Sequence, residues 1–102
     1  MRLGDVYVDH INRMFANSDF RNKDRNTIRE ILHGNFPKSE MPLLVQPDWI
    51  EVEEKDELTT KVVFSWEDYS FPFFMKWRKG NKENNYILSR AMLAGKPEGD
   101  VS

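Results

Sequence analysis

Several residue types that define common functional classes are absent from this 102-residue chain. It has no cysteine, which excludes a disulfide scaffold, a thiolate zinc site and a cysteine nucleophile. No apolar run reaches the roughly 18 residues of a transmembrane helix. The amino-terminal residues also lack the apolar segment of a signal peptide. We therefore expect a cytoplasmic protein that does not contact a membrane.

The residues that are present suit one compact domain. The length matches a typical domain, and seven Phe, three Tyr and three Trp provide enough bulk for one core. No repeat or low-complexity tract divides the chain. We assign residues 1–95 to a single α+β domain and residues 96–102 to a short flexible tail.

The net charge of -2 conceals a segregation of charge along the chain. Residues 1–34 hold six basic and five acidic side chains, a balance of +1. Residues 35–70 hold three and nine, a balance of -6, and residues 71–102 hold six and three, a balance of +3. If each segment keeps its charges on one side, the surface has an acidic and a basic region.

Two helices are predicted in the first third of the chain. Asp5 can cap the first helix, whose apolar residues recur at helical spacing as far as Phe15. The second helix spans roughly Asp24–His33. Within it Thr27 and Glu30 have the spacing of a capping box, so its regular part is expected to begin only at Thr27. Gly34 then suits a left-handed C-terminal cap, and residues 35–48, with three prolines, are predicted to be a loop.

Three strands are predicted next, at Trp49–Glu54, Leu58–Trp66 and Phe71–Arg78. Alternation with a period of two indicates an antiparallel meander with one buried face. The residues expected on that face in the two longer strands are Leu58, Thr60, Val62, Phe64, Trp66, Phe71, Phe73, Met75 and Trp77. Pro72 cannot donate to a strand ladder and therefore suggests an edge strand. The competing interpretation makes residues 71–79 a helix that Gly80 ends.

A third helix is predicted at Asn85–Ala94, because its apolar residues Ile87, Leu88, Ala91 and Met92 have helical spacing. The expected fold is therefore α+β in the order α-α-β-β-β-α. It has two N-terminal helices, a three-stranded antiparallel β-meander and a C-terminal helix.

No specific set of catalytic residues appears. The two histidines, His10 and His33, fall on different predicted helices. Asp5 and Asp9 share a helix face, but His10 points about 100° away from Asp9, so the three do not converge on a metal. There is no glycine-rich phosphate loop. We expect a non-catalytic protein without a metal or cofactor, and an enzyme remains the least favoured alternative.

The favoured function is a small protein-binding module, either an inhibitor or an adaptor. An acidic hairpin would dock on a basic surface of another protein, with electrostatics setting the association rate and orientation. Its residues are Glu51, Glu53, Glu54, Asp56 and Glu57. The small size also suits a phage or mobile-element accessory protein.

The alternative function is nucleic-acid binding through the basic third strand and the turn that follows it. Cations contact phosphates and aromatic rings stack on bases in such proteins. The candidate residues are Phe74, Lys76, Arg78, Lys79 and Lys82, with Arg21, Lys23, Arg25 and Arg29 as possible helpers. An exposed Phe74 on an edge strand could also support a homodimer by strand pairing.

Parts of the sequence resemble three known families, but none of the resemblances assigns the chain to a family. Residues Thr27–Gly34 are similar to a recognition helix of helix-turn-helix repressors, but the preceding helix lies too far away in sequence. The strand–strand–strand–helix order resembles double-stranded RNA-binding domains, whose lysine run is replaced here by Lys79 and Lys82 alone. Trp49 and the run Phe64–Tyr69 resemble pterin carbinolamine dehydratases, whose paired histidines are missing. No activity is carried over from any of them.

Overall fold

The computed structural model describes residues 3–34, 46–81 and 85–94. Helix α1 spans Leu3–Phe15, and helix α2 spans Arg25–Gly34. The strands are β1 at Trp49–Asp56, β2 at Thr59–Trp66, β3 at Tyr69–Lys79 and β4 at Tyr86–Leu93. The predicted tail, most of the predicted 35–48 loop and Lys82 lie outside the described residues. No helix in the described ranges is long and apolar enough to cross a membrane.

The strands form one antiparallel sheet in the order β1-β2-β3-β4, with both helices on one side of it. Helix α1 contacts β4 and helix α2 contacts β1. The sheet face beneath them, which we call the inner face, carries most of the side chains predicted to be buried. The fully or almost fully buried ones are Thr60, Val62, Phe64, Phe71, Phe73, Met75 and Trp77. Leu58 is exposed and Trp66 is half-buried, so the predicted buried face was wrong at those two ends.

The predicted C-terminal helix is wrong, because its residues form β4. An irregularity in the register between Lys76 and Trp77 places Trp77 opposite Leu88 but Lys76 opposite Arg90. Ser89 is therefore an extra residue on β4, as in a β-bulge. The bulge shifts the alternation by one, so buried Leu88 and buried Ala91 are three positions apart. Apolar residues three positions apart are typical of a helix, which explains the wrong prediction.

The prediction that β3 is an edge strand is also wrong, as is the competing helix at 71–79. β3 lies between β2 and β4, and Pro72 is opposite Val63 of β2. The Pro72 carbonyl accepts a hydrogen bond from the Ala94 N–H at 3.3 Å, so its nitrogen also faces β4. The pairing of β3 with β4 ends at Phe73 and Leu93. Pro72 lies just outside it, so the N–H that proline lacks is not needed for a strand hydrogen bond. Proline is tolerated inside the sheet for this reason.

The predicted capping box does not start helix α2. The Asp24 carboxylate accepts a hydrogen bond from the Thr27 N–H at 2.7 Å, which makes Asp24 the N-cap. This bond is also the largest cause of the lowered pKa of Asp24, because it favours the ionised carboxylate. The helix includes Gly34 instead of ending before it.

The outer edge of β4 is closed by residues of and just after helix α1. The side-chain amide of Asn12 accepts a hydrogen bond from the Ala91 N–H at 2.7 Å and donates one to the Ala91 carbonyl at 3.0 Å. The Leu88 N–H donates to the Ser18 carbonyl at 2.7 Å. Three backbone groups that would otherwise attract another strand are thereby satisfied, which disfavours strand pairing at this edge.

Candidate functional site

The second face of the sheet, which we call the outer face, points away from both helices. Its side chains alternate with those of the inner face and, apart from the buried Thr59, are half-buried or exposed. The strand register aligns Glu53, Lys61, Phe74 and Met92 in one row across all four strands. Glu51, Val63 and Pro72 form the neighbouring row. Among the described residues, no element packs on this face.

The centre of the outer face is apolar. Val63 lies opposite Pro72, and Phe74 lies opposite Met92, so these four half-buried residues form one contiguous cluster, the apolar patch. A solvated face of an antiparallel sheet ordinarily carries polar residues. A contiguous apolar patch with a polar rim is typical of an interaction surface.

The basic rim of the outer face consists of Lys61, Lys76, Arg78 and Arg90. In the described part of the chain, none of the four has a carboxylate within ion-pair distance. Their hydrogen-bond and ring contacts are instead with neutral groups. Lys76 Nζ lies 3.2 Å from Thr59 Oγ1 and 5.3 Å from the centre of the Phe74 ring, and Arg78 donates to Asn17 Oδ1 at 3.3 Å. Arg90 Nη2 lies 3.8 Å from the Met92 sulfur.

The residues of the predicted acidic hairpin are mostly engaged with cations of the same chain. The ion pairs are Glu54–Arg21 at 3.2 Å, Glu57–Lys79 at 3.3 Å and Glu53–Lys55 at 3.7 Å. Asp56 accepts a hydrogen bond from the Leu58 N–H at 2.9 Å and so shapes the turn. Of the five predicted residues, only Glu51 lacks such a contact with the described residues. The acidic hairpin therefore presents less free charge than its sequence suggests.

The acidic hairpin and the end of the basic strand meet each other at Glu57. The Tyr86 hydroxyl donates to Glu57 Oε2 at 2.6 Å, and the Lys79 ammonium pairs with the same oxygen. The Tyr86 hydrogen bond and then Lys79 lower the pKa of the Glu57 carboxyl, since both stabilise its ionised form. The same bond raises the pKa of Tyr86. Lys79, predicted to bind nucleic acid, is thus occupied within the chain.

Arg21, predicted only as a possible helper for nucleic-acid binding, holds the β1–β2 turn in place. Its guanidinium donates to the Glu57 carbonyl at 3.0 Å and to the Asp56 carbonyl at 3.4 Å. It also pairs with Glu54 and stacks over the Tyr86 ring, 5.0 Å from the ring centre. These contacts indicate a structural role.

The other three possible helpers do not join the outer-face cations. Arg29 stacks on Trp49, 4.5 Å from a ring centre, where helix α2 meets β1. Arg25 begins the same helix, and Lys23 is exposed in the segment before it. Of the predicted nucleic-acid residues that the structure describes, it therefore brings together only Phe74, Lys76 and Arg78, on β3.

The acid and histidine residues of helix α1 do not form a metal site. Asp9 pairs with Arg13 at 2.9 Å, while His10 is buried and only 1% exposed. Within the described ranges, no group of three or more His, Asp or Glu side chains is arranged to hold a metal ion.

Comparison with known proteins adds no assignment, since no family model, curated protein or solved structure matches the chain. Function therefore has to follow from the residues themselves.

Two residues of the outer face, Arg90 and Met92, were missed by sequence reasoning, because residues 85–94 were assigned to a helix. The sequence does contain a strand pattern if Ser89 is treated as an inserted residue. Arg90 and Met92 then point outward, and Ala91 between them points inward. The role of Asn12 had no signal in the sequence, because its partner Ala91 is 79 positions away.

Proposed function

We propose that this protein is a non-catalytic protein-binding module whose docking surface is the outer face of the sheet. The observation that carries the proposal is the apolar patch of Val63, Pro72, Phe74 and Met92 on a sheet face that no described element covers. Around it lie Glu51 and Glu53 on β1 and cations on the other strands. An apolar centre with a charged rim of both signs suits a protein partner.

The acidic residues keep a role in this proposal, although a smaller one than the sequence suggested. Glu51 and Glu53 point to the outer face, where Glu53 has only a long ion pair with its neighbour Lys55, at 3.7 Å, whereas Glu54 and Glu57 are held by Arg21 and Lys79. We therefore assign orientation of a basic partner region to Glu51 and Glu53. Rim charges of this kind change the association rate and its salt dependence more than the final affinity.

A pull-down from the source cells with wild-type protein, followed by purification of the captured partner, tests the proposal. The double variant Val63→Ser/Phe74→Ser should weaken binding of that purified partner by at least about tenfold, since central apolar residues dominate interface energies. Met14→Ser is the matched control, because Met14 is an exposed apolar residue, 44% accessible, on helix α1. Equal affinities of wild-type protein and the double variant would contradict the proposal.

Single-stranded nucleic acid is the second candidate ligand. Among the described residues, no carboxylate pairs with the cations of the outer face, which could therefore contact phosphates. These cations are Lys61, Lys76, Arg78 and Arg90. Fluorescence anisotropy with labelled single- and double-stranded DNA and RNA at low salt tests it. Binding should weaken with salt with a slope near -0.7 per phosphate contact for single strands. Lys76→Ala should reduce that slope. No binding at tens of micromolar protein would remove this candidate.

A further inference from the structure

We propose that the outer face binds a second copy of this chain, so that two sheets pack face to face about a two-fold axis parallel to the strands. The inference rests on the proposed function, since it names a partner for the same face. It starts from the distribution of charge across the sheet. Glu51 and Glu53 lie on β1 at one side, whereas Arg90 lies on β4 at the other.

A two-fold axis parallel to the strands, between β2 and β3, places β1 of one copy over β4 of the other. In the row shared by Glu53 and Met92, this rotation brings Glu53 over the partner's Met92 and brings Lys61 over the partner's Phe74. In the next row Val63 meets the partner's Pro72. The apolar patches therefore meet near the axis, as an isologous interface requires.

The Arg90 side chain is already placed for a contact with Glu53 of a second copy. Arg90 Nη2 lies 3.8 Å from the Met92 sulfur, so the guanidinium reaches the row that Glu53 would face. No carboxylate of the described residues pairs with Arg90. Glu53 lies 3.7 Å from Lys55 of its own chain, a long and exposed ion pair that leaves its carboxylate accessible to a second cation. The ion pair Glu53–Arg90 would form twice in the dimer, once at each side of the apolar patches.

Other arrangements of two copies are less favourable. A two-fold axis between the two sheets but perpendicular to the strands would place β1 of one copy over β1 of the other. The acidic residues Glu51 and Glu53 would then face the acidic residues of the partner's β1. Pairing of the β4 edges is opposed by Asn12 and Ser18, which already satisfy backbone groups of Ala91 and Leu88. The predicted homodimer through β3 as an edge strand is excluded by the strand order.

The area of the outer face limits the size of the interface. Four strands about 4.8 Å apart and about eight residues long give a footprint of about 19 by 26 Å. This is about 500 Å² per copy, or about 1,000 Å² in total, at the lower end for a specific interface. A weak dimer that forms only at high protein concentration is therefore expected.

Sedimentation equilibrium of the purified chain over a wide concentration range tests the inference with two charge-reversal variants. Glu53→Arg alone and Arg90→Glu alone each place like charges together twice, so each should weaken self-association by at least about tenfold. A one-to-one mixture of the two variants restores both ion pairs in the mixed dimer. The mixture should therefore associate as wild-type protein does.

Each alternative outcome has a distinct meaning. A wild-type chain that stays monomeric up to millimolar concentration would overturn the dimer, while binding of the captured partner would still uphold the proposed function. A dimer that both variants leave unchanged would also overturn the inference, because it would use another surface. Phe74→Ser, which removes a ring from the centre without altering charge, should give a monomer as a second check.

Discussion

The two faces of the same four strands differ in what covers them. On β3 the side chains of Phe73 and Met75 point to the helices and are fully buried, whereas those of Phe74 and Lys76 point the other way and are half-buried. The inner face is almost entirely apolar, and its one threonine in the centre, Thr60, accepts a hydrogen bond from Trp77 Nε1 at 2.9 Å. The outer face combines apolar residues with charges of both signs.

This difference separates the residues that stabilise the fold from those available to a partner. Burial of the inner face removes large aromatic side chains from water, which is the main driving force for folding. The apolar patch of the outer face, defined by Val63, Pro72, Phe74 and Met92, is only half-buried by the described residues. We therefore propose that its apolar character serves association.

The largest expected effect comes from two neighbouring phenylalanines on opposite faces. Phe73→Ala should lower the free energy of unfolding by about 3–5 kcal/mol, because it leaves a cavity in the core. Phe74→Ala should lower it by less than about 1 kcal/mol, because the ring is only half-buried. Chemical denaturation at low micromolar concentration, where any dimer is dissociated, measures both. Similar losses for the two variants would break the distinction between the faces.

A smaller effect is expected where helix α1 closes the β4 edge. Asn12→Ala should cost about 1–3 kcal/mol, because it leaves the N–H and carbonyl of Ala91 without their side-chain partner. Arg13→Ala, next along the same helix, should change stability by at most about 0.5 kcal/mol, since its pair with Asp9 is exposed. Thermal unfolding of both variants measures the difference. If Asn12→Ala were as mild as Arg13→Ala, the edge contact would not stabilise β4.

The start of helix α2 should give a comparable or smaller effect. Asp24→Ala should lower the denaturation midpoint, because the N-cap hydrogen bond to the Thr27 N–H is lost. Glu30→Ala, which removes the second side chain of the predicted capping box, should have little effect. Denaturation midpoints that reversed this order would restore Thr27 as the cap.

The smallest effect is a pH dependence at Glu57. Its pKa is lowered in the folded protein, so the contribution to stability is present above the ordinary carboxyl value near 4.5 and is lost as the pH falls below it. Tyr86→Phe removes the main cause of this shift. The difference in denaturation midpoint between wild type and Tyr86→Phe should therefore shrink on acidification. Tyr69→Phe, which alters an exposed tyrosine, is the control and should show no such change.

Much of the architecture could be predicted because its signals are local. Period-two alternation located β1, β2 and β3 and placed Phe64, Phe73, Met75 and Trp77 on one face, and helical spacing located both helices. The prediction was wrong at β4, because the extra residue Ser89 gives the apolar residues a helical spacing. It was also wrong about Pro72, because a proline fits inside the sheet only where the neighbouring strand β4 ends. Both failures arise from pairing between strands, which a local pattern does not contain.

The candidate site was predicted less completely. Sequence patterns placed Glu51, Glu53, Phe74 and Lys76 on the solvent side of the sheet, but they could not reveal that Glu54 and Glu57 are paired with Arg21 and Lys79. Those pairs join residues 22 to 33 positions apart, so only the folded chain brings them together. The charge segregation seen along the sequence is therefore partly cancelled in space.

The most direct test of the division between the faces is a set of backbone amide NMR spectra of the labelled chain across a dilution series. We expect concentration-dependent shifts confined to outer-face positions, such as Val63, Phe74 and Met92, with helix α2 positions such as Ile28 unchanged. Shifts that fall on the helices or the β1–β2 turn, or no shifts up to millimolar concentration, would contradict it.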